Sequence, residues 1–181
     1  MLAMSFGEIS PTVGRSVHVI KSSDNGATWT HVKNLNTTFG IAFNESSIEA
    51  CDGGFIVNCR KDFDGKKGVS YRTDMDFNVL VCEDYSDYAD ILVTTHRPKI
   101  IEENGKYYLL GRNAVTQSVY TALVLYEIDP VTLRPLNYIE LNSLSNHTYQ
   151  HSYYAEYYLQ EDENGRAYFN VITYDDSRSK D

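Results

Sequence analysis

Cysteine is scarce: Cys51, Cys59 and Cys82 are the three in 181 residues. An odd number with no C-x-x-C spacing excludes a disulfide framework and a cysteine metal site, so they read as small buried hydrophobes. Proline occurs four times and tryptophan once. No apolar run approaches the roughly 20 residues of a membrane-spanning helix. Met1 to Met4 is too short and too uncharged for a secretory signal. Lysine and arginine total 16 against 25 acidic residues, a net charge of −9 with a pI near 5.0. The basic patch of a nucleic-acid binder is therefore missing, although an acidic balance leaves room for a local cationic pocket. No His, Cys and carboxylate cluster has ligand spacing, so neither a metal nor another cofactor is expected. Nor does any stretch show a capped 3.6-residue apolar period, which argues for little helix.

Tyrosine, by contrast, is abundant. Fifteen tyrosines, 42% hydrophobic and 13% aromatic residues make a globular, strand-favouring composition. The length suits one domain with a sizeable core. The stretch Asn44 to Arg60 organises the rest. Asp52-Gly53 inside it is a dipeptide suited to a two-residue hairpin turn with φ > 0 at both central positions. Folding there sets Cys51 opposite Gly54, Ile48 opposite Val57 and Glu45 opposite Arg60, with paired Cβ atoms roughly 5 Å apart. The construction recurs at Asn104-Gly105, where Lys106 faces Glu103 and Arg112 faces Arg97. Two opposed arginines repel, so an anionic group is expected close by.

Longer-range repetition accompanies these hairpins. Arg15 to Trp29, Val69 to Asp74 and Leu123 to Pro130 share one shape, and their aspartates Asp24, Asp74 and Asp129 are 50 and 55 residues apart. The turn glycines Gly53, Gly105 and Gly165 run in step, 52 and 60 residues apart. Four short strands per roughly 50 residues is the signature of a β-propeller blade. The predicted fold is all-β, a single partial propeller domain over 1–181 with about three four-stranded antiparallel blades. Full blades are expected at about 41–86 and 93–142, with remnants at 1–36 and 150–181. Propellers close with about four to eight blades, so a piece of a longer propeller is expected, or self-association through incomplete edges.

Lys21 to Trp29 resembles the Asp-box of sialidase-type propellers, S-x-D-x-G-x-x-W, with Ser22, Asp24, Gly26 and Trp29 matching. The resemblance implies structural roles: Asp24 accepts turn N–H groups and Trp29 packs between strands. Asp74 and Asp129 mark degenerate boxes that lack the Gly and Trp. Asn44-Glu45-Ser46, with Asp52-Gly53 and Asn58-Cys59-Arg60, is similar to a segment of bacterial exo-sialidases. In that family the Glu assists a tyrosine nucleophile and the Arg is one of three that grip the substrate carboxylate. The resemblance thus implies Glu45 as base, Arg60 as carboxylate ligand, and Tyr153 or Tyr154 as nucleophile. It also implies a carbohydrate partner, a sialoside or other acidic glycan; secretion, or export to a periplasm, is the family's habit.

The chemistry explains the residue types. Sialic acid carries a carboxylate on its anomeric carbon, so a neutral phenol attacks it without like-charge repulsion. With a pKa near 10, that phenol needs a neighbouring base. Arginine suits the carboxylate through charge-assisted, bidentate contacts. The pattern also departs from the family. No arginine stands near Val119-Tyr120-Thr121, where a third is usual; Arg97 and Arg112 are the substitutes. The family's Arg-Ile-Pro motif and acid/base aspartate have no counterpart here, and His96-Arg97-Pro98 only approximates the former. Other readings stay open. Glu45–Arg60 also fits a plain cross-strand ion pair, and His96 and His151 fit ordinary loop histidines. Lys61 to Gly68 fits a solvated turn. The chain as a whole also fits a non-catalytic Asp-box propeller that binds glycan or protein, or an enzyme for another sugar.

Overall fold

A computed structural model describes residues 1–8, 15–40, 42–61, 68–88, 93–116, 119–143 and 155–173. Among these residues the fold is all-β apart from one short helix and a 3₁₀ turn. The first sheet is a meander of β1 (Leu2–Glu8), β2 (Arg15–Lys21) and β3 (Thr30–Asn34). The helix α1 (Leu35–Phe39) leads to a four-stranded meander of β4 (Phe43–Cys51), β5 (Gly54–Lys61), β6 (Gly68–Asp74) and β7 (Val79–Asp84). A 3₁₀ turn (Tyr85–Asp87) precedes a second four-stranded meander of β8 (Val93–Glu103), β9 (Lys106–Thr116), β10 (Val119–Ile128) and β11 (Pro135–Ser143). A hairpin of β12 (Ala155–Glu161) and β13 (Ala167–Thr173) follows. Among the described residues every strand pair is antiparallel, so turn chemistry rather than long crossovers sets the topology.

The sheets pack face against face. β1 and β2 lie against β4, and β4 and β5 lie against β8. Two apolar layers result. One gathers Val17, Val19, Leu35, Phe43, Phe55, Val57 and Tyr71 between the first and second sheets. The other gathers Ile56, Tyr85, Ile100, Leu109, Val124 and Leu133 between the second and third. β5 serves both, because successive side chains point to opposite faces. Phe55, Val57 and Cys59 enter the first layer and Ile56 the second, so Gly54 to Cys59 is buried at every position. A strand covered on both faces loses the apolar–polar alternation of a half-buried one. Hydrogen bonds tie the layers: Ile100 N–H donates to Ser47 Oγ (3.0 Å) and the Tyr107 hydroxyl to the Ala50 carbonyl (3.0 Å). Asn36 joins the first two sheets, accepting from Val17 N–H (3.0 Å) and donating to the Phe43 carbonyl (3.3 Å).

The turns match their sequences in two cases and correct the reading in a third. Asn104 and Gly105 both have positive φ (53° and 76°), as a type I′ turn requires. Asp162 pairs with Arg166 around a three-residue turn, whose last residue, Gly165, is left-handed (φ 72°). At Asp52-Gly53 only Gly53 is left-handed (φ 75°), so that turn is not type I′.

Aspartates close the sheets' other turns. Asp24 accepts from Thr28 N–H (2.9 Å), the Thr28 hydroxyl (2.6 Å) and the Ser22 hydroxyl (2.8 Å). Ser22 Oγ in turn accepts from Gly26 N–H (2.7 Å), and Gly26 takes the left-handed φ of 92° that this backbone needs. Trp29 does not pack between strands: it stays 40% exposed and its indole N–H caps the Gly26 carbonyl (3.1 Å). The sheet has three strands, and among the described residues no fourth strand covers the ring on its outer side. Asp74 accepts from the N–H groups of Asp76 and Asn78, and Asp129 from those of Val131 and Thr132. The Asp74 and Asp129 turns also use the left-handed region, at Phe77 and Leu133 (φ 63° each), both buried.

The hydrogen bonds from Thr28 and Ser22 hold the Asp24 carboxyl down at about 2, and the corresponding turn N–H groups lower Asp129 and Asp162. Asn78 lowers Asp74 in the same way. A carboxylate depressed by folding contributes stability above its unfolded value of 3.8 and loses it as pH falls toward the folded one. Acid unfolding followed by circular dichroism is therefore expected to set in below about pH 4. Asp24→Asn is expected to make the profile shallower there while lowering the melting temperature at neutral pH. An unchanged acid profile would remove the turn carboxylates as its source.

Candidate functional site

At the end of the second sheet away from the Asp74 turn, β4 and β5 leave their regular register. The ladder runs from Cys51↔Gly54 to Ser46↔Cys59, then shifts so that Phe43 faces Lys61. Asn44 and Glu45 together oppose Arg60, a β-bulge that swings a side chain out of the pleat. Arg60 Nη1 meets Glu45 Oε2 at 3.2 Å, with the side chains 11% and 26% exposed respectively. The predicted Glu45–Arg60 contact is present, made through the bulge and not across a flat ladder.

The guanidinium is not fully used. Its Nε is buried and has no hydrogen-bond partner among the described residues. A buried charge gains little net stability from one ion partner, because desolvation offsets most of the Coulomb term. A donor left unpaired adds roughly 1–3 kcal/mol of cost. Arg60 therefore retains capacity for another acceptor. Lys61, on the opposite face of β5, is committed elsewhere: its ammonium contacts the Asp84 carboxylate and the Ser86 hydroxyl (2.9 Å). Two residues inward from Arg60, Asn58 is fully buried and donates to Ser70 Oγ (2.8 Å) and the Val69 carbonyl (3.4 Å). Ser70 Oγ lies 2.9 Å from the Tyr85 hydroxyl, which donates to the Leu133 carbonyl (3.0 Å). Nothing in the sequence pattern distinguished Tyr85 from the other tyrosines.

The remaining predicted residues fare differently. Arg112 lies on β9 seven residues past Gly105, as Arg60 lies on β5 seven past Gly53, so the two hold equivalent positions in adjacent sheets. Arg97 is not opposite Arg112. The β8–β9 ladder jumps from Lys99↔Leu110 to Thr94↔Arg112, which leaves Arg97 in an unpaired stretch. Pro98 is the physical reason at hand, since it has no N–H to continue a ladder. Without facing arginines, the expected compensating anion loses its basis. Tyr153 and Tyr154 lie outside the described residues, as does His151; β12 begins at Ala155, immediately after the tyrosines.

A cavity of about 590 Å³ opens elsewhere, between the first and second sheets and beside the Asp24 and Asp74 turns. Leu2, Ile48, Phe55, Met75 and Phe77 make it chiefly apolar, and Lys21 and Glu49 also line it. Neither Glu45 nor Arg60 reaches it, and the mostly apolar lining offers little to a hydroxyl-rich sugar. Among the described residues no helix is long and apolar enough to cross a membrane. No protein-family profile matches this chain, and no curated protein or solved structure matches it either. The likeness to sialidase-type propellers thus rests on the quoted motifs.

Proposed function

We propose that the stacked meanders are blades of a sialidase-type β-propeller, and that Glu45 and Arg60 belong to a glycoside-hydrolase site for sialic acid or a related acidic sugar. The observation that carries this reading is the bulged Glu45–Arg60 pair, with its buried and unpartnered Nε donor, inside the Asn-Glu-Ser and Asn-x-Arg motifs. The sugar carboxylate is held by the guanidinium through its exposed part. Glu45 takes the proton of a tyrosine nucleophile, Tyr153 or Tyr154, as the phenol oxygen bonds to the anomeric carbon and the glycosidic bond breaks. The aglycone oxygen leaves with a proton that the family draws from its acid/base aspartate. Arg112 is the second candidate carboxylate ligand because it repeats the position of Arg60. A binding-only reading is favoured by one specific fact: Val119-Tyr120-Thr121, at the start of β10, contains no arginine.

Binding decides the matter better than turnover, since the Arg-Ile-Pro motif and acid/base aspartate of the family have no counterpart in this sequence. Saturation-transfer NMR is expected to detect N-acetylneuraminic acid on the full chain, with no hydrolysis of a fluorogenic sialoside. Arg60→Lys keeps the charge but loses the planar fork, so affinity is expected to fall about tenfold, as one charge-assisted bond is worth roughly 1.5–3 kcal/mol. Equal binding of the sugar and its methyl ester would sink the reading, because recognition would then not involve the carboxylate.

A further inference from the structure

The first sheet holds a histidine pair that the proposed site does not use. His18 lies in β2 and His31 in β3, opposite Asn34 and Ile20, and a register shift between Val19 and Ile20 brings the two rings together. His18 Nδ1 is 3.2 Å from His31 Nε2; the ring centroids are 5.2 Å apart and the planes cross at 63°. His18 is only 5% exposed, whereas His31 faces solvent. Burial and then the neighbouring His31 lower the His18 pKa below 6.5, with the Gly7 backbone acting in the opposite sense. A neutral imidazole keeps one lone pair available.

The spacing separates two arrangements. Nitrogens each ~2.05 Å from a tetrahedral ion stand about 3.3 Å apart, with ring centres about 5 Å apart. Rings joined by a straight N–H···N bond of the same length have centres about 5.5 Å apart. The observed pair is shorter than a straight hydrogen bond gives and fits the convergent geometry. We propose that His18 Nδ1 and His31 Nε2 form a two-histidine site for a divalent transition ion of the zinc class. Water completes the coordination, since no group of three metal-ligating side chains occurs among the described residues. The exposed side of His31 supplies both the entry path and the water. His18 then carries its proton on Nε2, a buried nitrogen with no partner within hydrogen-bond distance among the described residues. The bound ion clips β2 to β3, the strands that flank the Asp24 turn.

Calorimetric titration of the full chain with ZnCl2 tests this, alongside His31→Ala and a His96→Ala, His147→Ala, His151→Ala triple variant. The expected result is one saturable zinc site, weakened at least tenfold in His31→Ala and unchanged in the triple variant. Zinc is also expected to raise the melting temperature of the parent chain but not of His31→Ala. Absence of saturable binding, equal affinity in His31→Ala, or loss in the triple variant would each overturn the proposal.

Discussion

Gly54→Ala is expected to leave the chain without a cooperative thermal transition. Gly54 pairs with Cys51 on one side and Asp74 on the other, next to the turn that starts β5. A Cβ there would fall 1.9 Å from the Thr73 carbonyl oxygen and 2.9 Å from Asp74 Cα, both backbone atoms of the paired strand. No rotamer change relieves such an overlap, so β5 and β6 must part where β5 enters both apolar layers. The cost should exceed about 4 kcal/mol, a large share of the 5–15 kcal/mol that holds a typical domain together. Gly53→Ala is the control. Its φ of 75° is unfavourable for alanine, but no atom of the described residues lies within 4 Å of the added methyl. It is expected to lose only about 1–2 kcal/mol. Thermal melts followed by circular dichroism compare the two, and a Gly54→Ala melt within a few degrees of the parent would refute the close approach.

Phe77 gives the second large effect, with an unusual ordering. It is 2% exposed and stacks on Phe55 at 4.9 Å between ring centroids, yet its φ is 63°. Removing the ring is expected to cost about 3–5 kcal/mol in lost burial and cavity. Phe77→Ala retains the left-handed strain, whereas Phe77→Gly relieves about 1 kcal/mol of it. The glycine variant should therefore be the more stable of the two, the reverse of the order inside a regular strand. Urea denaturation of both proteins measures the difference. A less stable Phe77→Gly would mean that the left-handed geometry is not what the turn demands.

Much of the strand order was legible in the sequence. Asp-Gly and Asn-Gly turns, aspartates at regular spacing and short apolar runs are local signals, and antiparallel meanders are built from local connections. The pairing of β4 with β5 follows from Asp52-Gly53 as far as Ser46. Beyond that point it could not be read, because a bulge at Asn44-Glu45 depends on what packs around the strand end. Arg97 was misplaced for a related reason: counting outward from Asn104-Gly105 assumes an unbroken ladder, and Pro98 interrupts it. Trp29 was assigned a buried place from the Asp-box motif, but burial belongs to the neighbours of a ring and not to the motif. Phe77 and Leu133 were invisible as turn residues, since bulky side chains seldom take positive φ. In the candidate site, the Glu45–Arg60 contact was readable from hairpin spacing. The unpartnered Nε of Arg60 and the meeting of His18 with His31 were not, because both arise from register slips.

Oily surfaces laid against each other tolerate sliding, since area changes slowly with small displacements. The Tyr85 hydroxyl does not tolerate it: held beside Ser70, it reaches the Leu133 carbonyl in the turn of the neighbouring sheet. With the Ile100–Ser47 and Tyr107–Ala50 hydrogen bonds, that phenol acts as a locating pin, setting where the third sheet comes to rest on the second. Grafting a foreign meander onto this stack would accordingly require a carbonyl at the same spot, however well its greasy face matched.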